Sequence, residues 1–267
     1  MHRAAHQLVD RPPVFEDPLA LRIVGEEAAA DLREGRDVRA MTTSTGLRIF
    51  IATRSRFTED CLDAAMARGV RQYVLLGAGL DTFAYRAQRE GLRVFEIDHP
   101  ATQGWKRARL AEVGIATPDC VIYAPVDFER ETLRDGLQRA HFDFAAPAMF
   151  AWLGVTPYLT RDAVMGTLCF VASLAKGSEI VFDYAELPGE ETGAHREQFD
   201  AMAARVAAMG EPFRSLFETD VLVRDVKALG FSFVEALDAA ALNARYFAGR
   251  KDGLSLRGRG HLMHARV

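Results

Sequence analysis

The stretch YVLLGAGLDTFAYR (73–86) sets the architecture of the chain. An apolar run stops at Gly77-Ala78-Gly79, and Asp81 and Thr82 follow at once. Strand, tight turn and helix start, in that order, frame a nucleotide cradle. Glycine lets the backbone turn sharply and approach a ligand where a Cβ would clash. A dinucleotide fold places a third glycine three residues on, so that the helix can approach the pyrophosphate closely. Here that place holds Thr82, and the neighbouring Asp81 would repel a pyrophosphate. An acid in the turn suits a ligand that carries an ammonium group or hydroxyls. Ordinary strand–helix junctions favour glycine too, so the turn alone leaves a purely structural reading open.

Working outward, the next apolar run, RVFEID (93–98), ends on Asp98, about 20 residues beyond the glycines. That is the usual spacing for a carboxylate that accepts both hydroxyls of a ribose. Asp98 could instead start a turn before Pro100, as Asp often does. Glu96 falls on the same side of the strand as Asp98. A third run, CVIYAPV (120–126), delivers Asp127 and Phe128 to the same end of the sheet, where open α/β sheets bind their ligands. Asp127 could hydrogen-bond an adenine amino group with Phe128 against the ring, or it could cap the following helix; both roles can coexist.

The runs AMFAWLGV (148–155) and EIVFDYA (179–185) complete a set of short buried strands, with helical segments near 80–90, 100–114, 129–140 and 160–175 between them. This alternation predicts right-handed βαβ crossovers, hence an α/β fold with a mostly parallel, doubly wound, Rossmann-like sheet. FSFVEAL (231–237) and a final strand in HLMHARV (261–267) predict an antiparallel hairpin at one edge. Upstream, LALRIVGEEAAADLREG (19–35) reads as a helix stopped by Gly35, and a second helix covers about 46–68. A long helical segment occupies 190–210, and a further helix lies near 219–229. One domain is expected: a helical cap (1–70), a cofactor-binding core (71–185), a lid insertion (186–218) and a sheet edge (219–267).

Composition narrows the partners. The 267 residues are 49% hydrophobic and 26% charged, ordinary for a globular chain, with a formal net charge of −4 that offers no general attraction to nucleic acid or anionic lipid. Cys61, Cys120 and Cys169 are sparse, odd in number and without CxxC spacing, so they read as free thiols in a reducing compartment and neither a disulfide framework nor a zinc site. No apolar signal core opens the chain and no run is long enough to span a bilayer, so a cytoplasmic location without membrane contact is expected.

LGAGLDTFAYR, VFEIDHPATQGWKRARL, VDF and AWLGVTPYLT, in this order and with FEDPLA upstream, resemble the leucine carboxyl methyltransferase family, class I S-adenosylmethionine-dependent O-methyltransferases with a bacterial branch. The likeness covers roughly 40–185. It implies S-adenosylmethionine as cofactor and an antiparallel edge typical of methyltransferase sheets. It further implies that Arg54 binds the methionine carboxylate (Arg56 being the alternative register), that Gly77, Ala78 and Gly79 turn around the methionine portion, and that Asp81 lies close by. Asp98 would take the ribose, and Asp127 and Phe128 the adenine. One departure is plain: Leu153 stands where the family proper has an acid that helps hold the cofactor's ammonium.

The expected activity is methyl transfer to a carboxylate or hydroxyl oxygen of a small organic acceptor, with Tyr158 a candidate for orienting that oxygen or simply a packed ring. Methylation of a protein C-terminus is the alternative; a degenerate protein that binds S-adenosylmethionine without turnover is another, prompted by Leu153. An NAD(P)-dependent oxidoreductase would need a third glycine at 82 and no acid in the turn. His99, His141 and His195 have no evident partner. Ala, Met and Phe in AMAARVAAMGEPFRSLF (201–217) could line an acceptor pocket or be plain core. Oligomeric state is not legible.

Overall fold

The computed structural model describes residues 1–36, 45–187 and 212–267. Seven strands form one sheet: β1 (Gln72–Leu76), β2 (Arg93–Asp98), β3 (Val121–Pro125), β4 (Ala148–Trp152), β5 (Glu179–Ala185), β6 (Phe233–Leu237) and β7 (Gly260–Arg266). Their spatial order is β3-β2-β1-β4-β5-β7-β6. β1 pairs in parallel with both β2 and β4, so the order reverses beside β1 and opens a crevice at the carboxyl ends there. The expected hairpin is present in more detail than the sequence offered: β7 runs antiparallel between β5 and β6.

Both faces of the sheet are covered, which is why the central strands read as unbroken apolar runs. In β1 alternate residues part company. Val74 and Leu76 join one cluster with Phe95, Ile97, Phe150 and Trp152, while Tyr73 and Leu75 join the other with Val94, Met149 and Ala151. Helices Leu133–Arg139, Arg161–Ala172 and Thr219–Ala228 supply the first cluster; Thr45–Ala67 and Ala239–Tyr246 supply the second.

Several helix expectations need correcting. The segment 19–35 is two helices, Ala20–Val24 and Glu26–Arg33, because Gly25 between them turns out of the helical region at φ 98°, and Arg109 Nε donates to the Ile23 carbonyl at 2.9 Å. The helix expected over 129–140 begins only at Leu133, and its cap is Thr132 with Asp135 in a reciprocal box, not Asp127. The helix after the glycine turn is a single turn, Phe83–Arg86. Ala239–Tyr246 was not legible as a helix. The long helical segment at 190–210 lies outside the described residues. No helix among the described residues is long and apolar enough to cross a membrane.

Candidate cofactor site

The glycine turn is bound to the second strand before any ligand is considered. Gly77 N and Ala78 N both donate to the Ile97 carbonyl, at 2.9 and 3.1 Å. Gly77 takes φ 67°, and a Cβ added there would come within 2.6 Å of Val155 Cγ2. Only glycine brings the main chain this close to the loop after β4.

Asp98 closes the turn from the other side. Its Oδ2 accepts from Gly79 N at 2.6 Å and its Oδ1 from His99 N at 2.7 Å. Glu96, on the same face of the strand, does not join it at the crevice. It is buried in an ion pair with Lys106 Nζ at 2.8 Å, and burial pushes its carboxyl above the ordinary range despite that lysine.

Thr82 explains the missing third glycine. Its hydroxyl donates to Asp17 Oδ2 at 2.8 Å and accepts from Arg86 Nε at 3.2 Å. Asp17 is fully buried and belongs to FEDPLA, so that motif is the peg that docks the N-terminal segment onto the cradle. Through this docking Arg3 reaches the turn, donating to the Leu80 carbonyl at 2.5 Å and lying 3.3 Å from Asp81 Oδ2. Asp81 Oδ1 accepts from Phe83 N at 2.7 Å. Burial alone would raise the Asp81 carboxyl, but Arg3, then Lys106 and Arg86, outweigh it and hold it below the ordinary range.

The N-terminal helix His2–Val9 is held in place by a second buried group. His6 Nε2 accepts from Val14 N at 3.0 Å, which leaves Nδ1 to donate to Asp10 Oδ2 at 2.7 Å. Arg48 forks onto both Asp10 oxygens at 2.9 and 3.0 Å. Burial works against that carboxylate, yet the His6 and Arg48 hydrogen bonds bring it down to about 2.

Two cavities meet at Leu76 and Gly77. The smaller, about 220 Å³, is lined by Arg3, Arg54, Gly77, Ala78, Gly79, Asp81 and Leu153 among others. The larger, about 660 Å³, runs past Asp98, His99 and Phe128 between helices Leu133–Arg139 and Arg161–Ala172. Arg54 therefore faces the glycine turn, whereas Arg56 is half exposed and engaged with Asp60 at 2.9 Å. Arg54 Nη1 donates to Asp183 Oδ2 at 2.5 Å.

Not every expected residue converges. Phe128 is exposed and lines the larger cavity, but Asp127 is absent from both walls; its Oδ1 accepts from Glu129 N at 3.1 Å in a local turn. Tyr158 lies in the turn Thr156–Tyr158 with its ring 6.0 Å from that of Phe213, and it lines neither cavity. His99 lines the larger cavity. The His141 carbonyl accepts from Arg93, at the start of β2 and so away from the crevice, and His195 lies outside the described residues. Arg3 and Asp183 were missed. Nothing in spacing marks Arg3, but Asp183 is a charge set within the otherwise apolar IVFDYA (180–185), and that was a usable signal.

Comparison with known proteins agrees with this geometry. The sequence profile described as "Leucine carboxyl methyltransferase" matches residues 1–172. The Bacillus subtilis protein named "Putative S-adenosyl-L-methionine-dependent methyltransferase YktD" is 29% identical over 286 residues, spanning 98% of this chain and 94% of its own length. A like-named Frankia alni protein is 35% identical over 202 residues, 74% of this chain and 69% of its own. In fold, the chain is similar to the "putative methyltransferase" of Thermobifida fusca, with a TM-score of 0.60 at 20% identity over 97% of this chain and 98% of that one. It is also similar to the Synechocystis magnesium protoporphyrin IX methyltransferase solved with bound SAH, with a TM-score of 0.50 at 10% identity over 85% of this chain and 87% of that one. The chain belongs to the leucine carboxyl methyltransferase family and is an S-adenosylmethionine-dependent methyltransferase.

Proposed function

We propose that the chain methylates a carboxylate or hydroxyl oxygen of a small organic acceptor, and that the cofactor lies across Gly77 with its amino-acid end in the smaller cavity and its adenosine in the larger. The residues suit that group. The turn at Gly77 has no room for a side chain, so the backbone itself forms the cradle. Each Asp98 oxygen spends one lone-pair site on a backbone N–H and keeps one for a ribose hydroxyl. Phe128, on the wall of the larger cavity, offers a ring face for adenine. Arg54 carries N–H groups for the carboxylate, and Asp81 a charge for the ammonium.

When bound, the cofactor supplies a methyl group already activated by the positive charge of its sulfonium. The chain's own task is to align the acceptor and keep water out. A carboxylate acceptor is ionised at neutral pH and needs no base, while a hydroxyl would gain from one.

The observation that carries a small acceptor is the covering of the glycine turn by the N-terminal segment. Asp17 accepts from the Thr82 hydroxyl and Arg3 donates to the Leu80 carbonyl, which fastens that segment over the smaller cavity. A cavity covered in this way admits small molecules more readily than a folded protein.

The test is a screen of small carboxylic acids, phenols and alcohols, with peptide C-termini as a parallel arm, read as S-adenosylhomocysteine release. Release with a small acceptor is expected. A methyl ester then hydrolyses in mild base and an ether does not, which separates carboxylate from hydroxyl. Release with peptides alone would move the assignment to protein carboxyl methylation. Cofactor binding with no release across the panel would favour a degenerate binder.

A further inference from the structure

Building on the cofactor placement above, we infer that Asp183 is a positioning residue: it seats Arg54 so that the guanidinium presents its remaining N–H groups to the cofactor's amino-acid carboxylate. Arg54 reaches from the helix Thr45–Ala67 across to the ends of β4 and β5. Asp183 Oδ2 receives its Nη1 at 2.5 Å, and Asp183 Oδ1 receives Gly154 N at 2.6 Å. With both oxygens engaged the carboxylate cannot rotate away. Gly154, at φ 75°, approaches the guanidinium so closely that a Cβ there would come within 2.8 Å of Arg54 Nη2.

The guanidinium is thus held by a carboxylate and closely approached by the Gly154 backbone, and it still lines the smaller cavity. Its side chain is 17% exposed and that of Asp183 only 6%. A charge so far out of water is costly unless paired, and Asp183 provides the pairing. Arginine–carboxylate bonding is directional, so a guanidinium fixed in advance recognises a carboxylate without first losing rotamer freedom. The main chain of Asp183 is tied in as well, since its carbonyl accepts from the Thr156 hydroxyl.

Calorimetry with S-adenosylmethionine and with its decarboxylated analogue tests the assignment, on the wild-type protein, Asp183→Asn and Gly154→Ala. The wild type should prefer the complete cofactor by about 10- to 150-fold, the weight of one charge-assisted hydrogen bond. In Asp183→Asn the amide turns a donor toward Arg54 or Gly154, and the preference should shrink by about tenfold or more. Affinity for the decarboxylated analogue should stay as in the wild type, and this also shows that the variant is folded. Gly154→Ala crowds the same guanidinium directly and should give the same signature, which covers the case in which Asp183→Asn does not fold. Equal loss of affinity for both ligands would reduce Asp183 to a structural role and overturn the inference. A wild type that binds both ligands equally would overturn it too, while leaving the cofactor assignment standing.

Discussion

Replacing Asp98 with Asn separates two jobs held by one carboxylate. In the native turn its oxygens accept from Gly79 N and His99 N at 2.6 and 2.7 Å. Asparagine keeps one acceptor and turns an NH2 toward the other donor. That backbone N–H is then unpaired in the free and the loaded protein alike, so its loss lowers stability and cancels from affinity. The lost ribose bond exists only in the loaded protein, so it enters the dissociation constant. A hydrogen bond to a charged group contributes about 1.5–3 kcal/mol, which corresponds to a rise in Kd of roughly 10- to 150-fold. Calorimetry with S-adenosylmethionine and S-adenosylhomocysteine measures it. The two ligands share the ribose, so both constants should rise by the same factor, alongside a lower Tm. An unchanged Kd in a variant whose Tm has fallen would show that Asp98 builds the turn and does nothing for the ligand. A rise with S-adenosylmethionine alone would place the carboxylate near the sulfonium and refute the ribose assignment.

Gly77→Ala forces a side chain into a left-handed backbone, at about 1–2 kcal/mol, with a further cost for displacing Val155. For a chain of this size Tm should fall by roughly 2–8 °C or more, and cofactor affinity should fall with it; an unchanged Tm by scanning calorimetry would contradict the close approach seen here. The Asp10 carboxyl is depressed from 3.8 to about 2, outweighing the opposing effect of burial through His6 and then Arg48. A depressed carboxylate adds stability that is complete above the unfolded value near pH 4 and is lost as pH falls through about 2, here on the order of 2 kcal/mol. The stability gap between the wild type and Asp10→Asn should therefore narrow by about that amount between pH 7 and pH 2, as followed by denaturant melts. A gap independent of pH would mean that Asp10 titrates alike in the folded and unfolded chain, so that its partners do not favour the ionised form.

The sheet was legible because its signal is local. Runs such as YVLLG and RVFEID carry strand length, burial and the glycine turn within a few residues, and the parallel order follows from the alternation. Asp98, Gly77 and Gly79 were legible for the same reason: a backbone cradle is written in consecutive positions. Helix ends were less so. The helix at Leu133–Arg139 starts where Thr132 and Asp135 cap each other, and Asp127, an equally good capping type, lost to them by position. Side-chain partners distant in sequence left no trace. Arg3 meets Asp81 across 78 positions, and Arg54 meets Asp183 across 129. Glu96 shows the limit of alternation: the strand faced it correctly, but only packing reveals that Lys106 has already taken it.

Those distant pairs also bear on Leu153, the position at which this chain departs from the family pattern. Around the smaller cavity the charged groups occur in opposite couples, Arg3 with Asp81 and Arg54 with Asp183. Their formal charges sum to zero, as would suit the zwitterionic amino-acid end of the cofactor in the placement proposed above, with neither couple left buried and unbalanced. An acid at 153 would add a negative charge to a balanced set in a partly dry cavity, where it would need a partner of its own. A leucine there leaves Asp81 as the carboxylate on the wall of the smaller cavity. Arg3 holds that carboxylate ionised and comes from a segment that the sequence marks only through FEDPLA. In the placement proposed above, the Arg3–Asp81 couple rather than residue 153 would serve the ammonium, so the turn and its N-terminal cap would supply that site together.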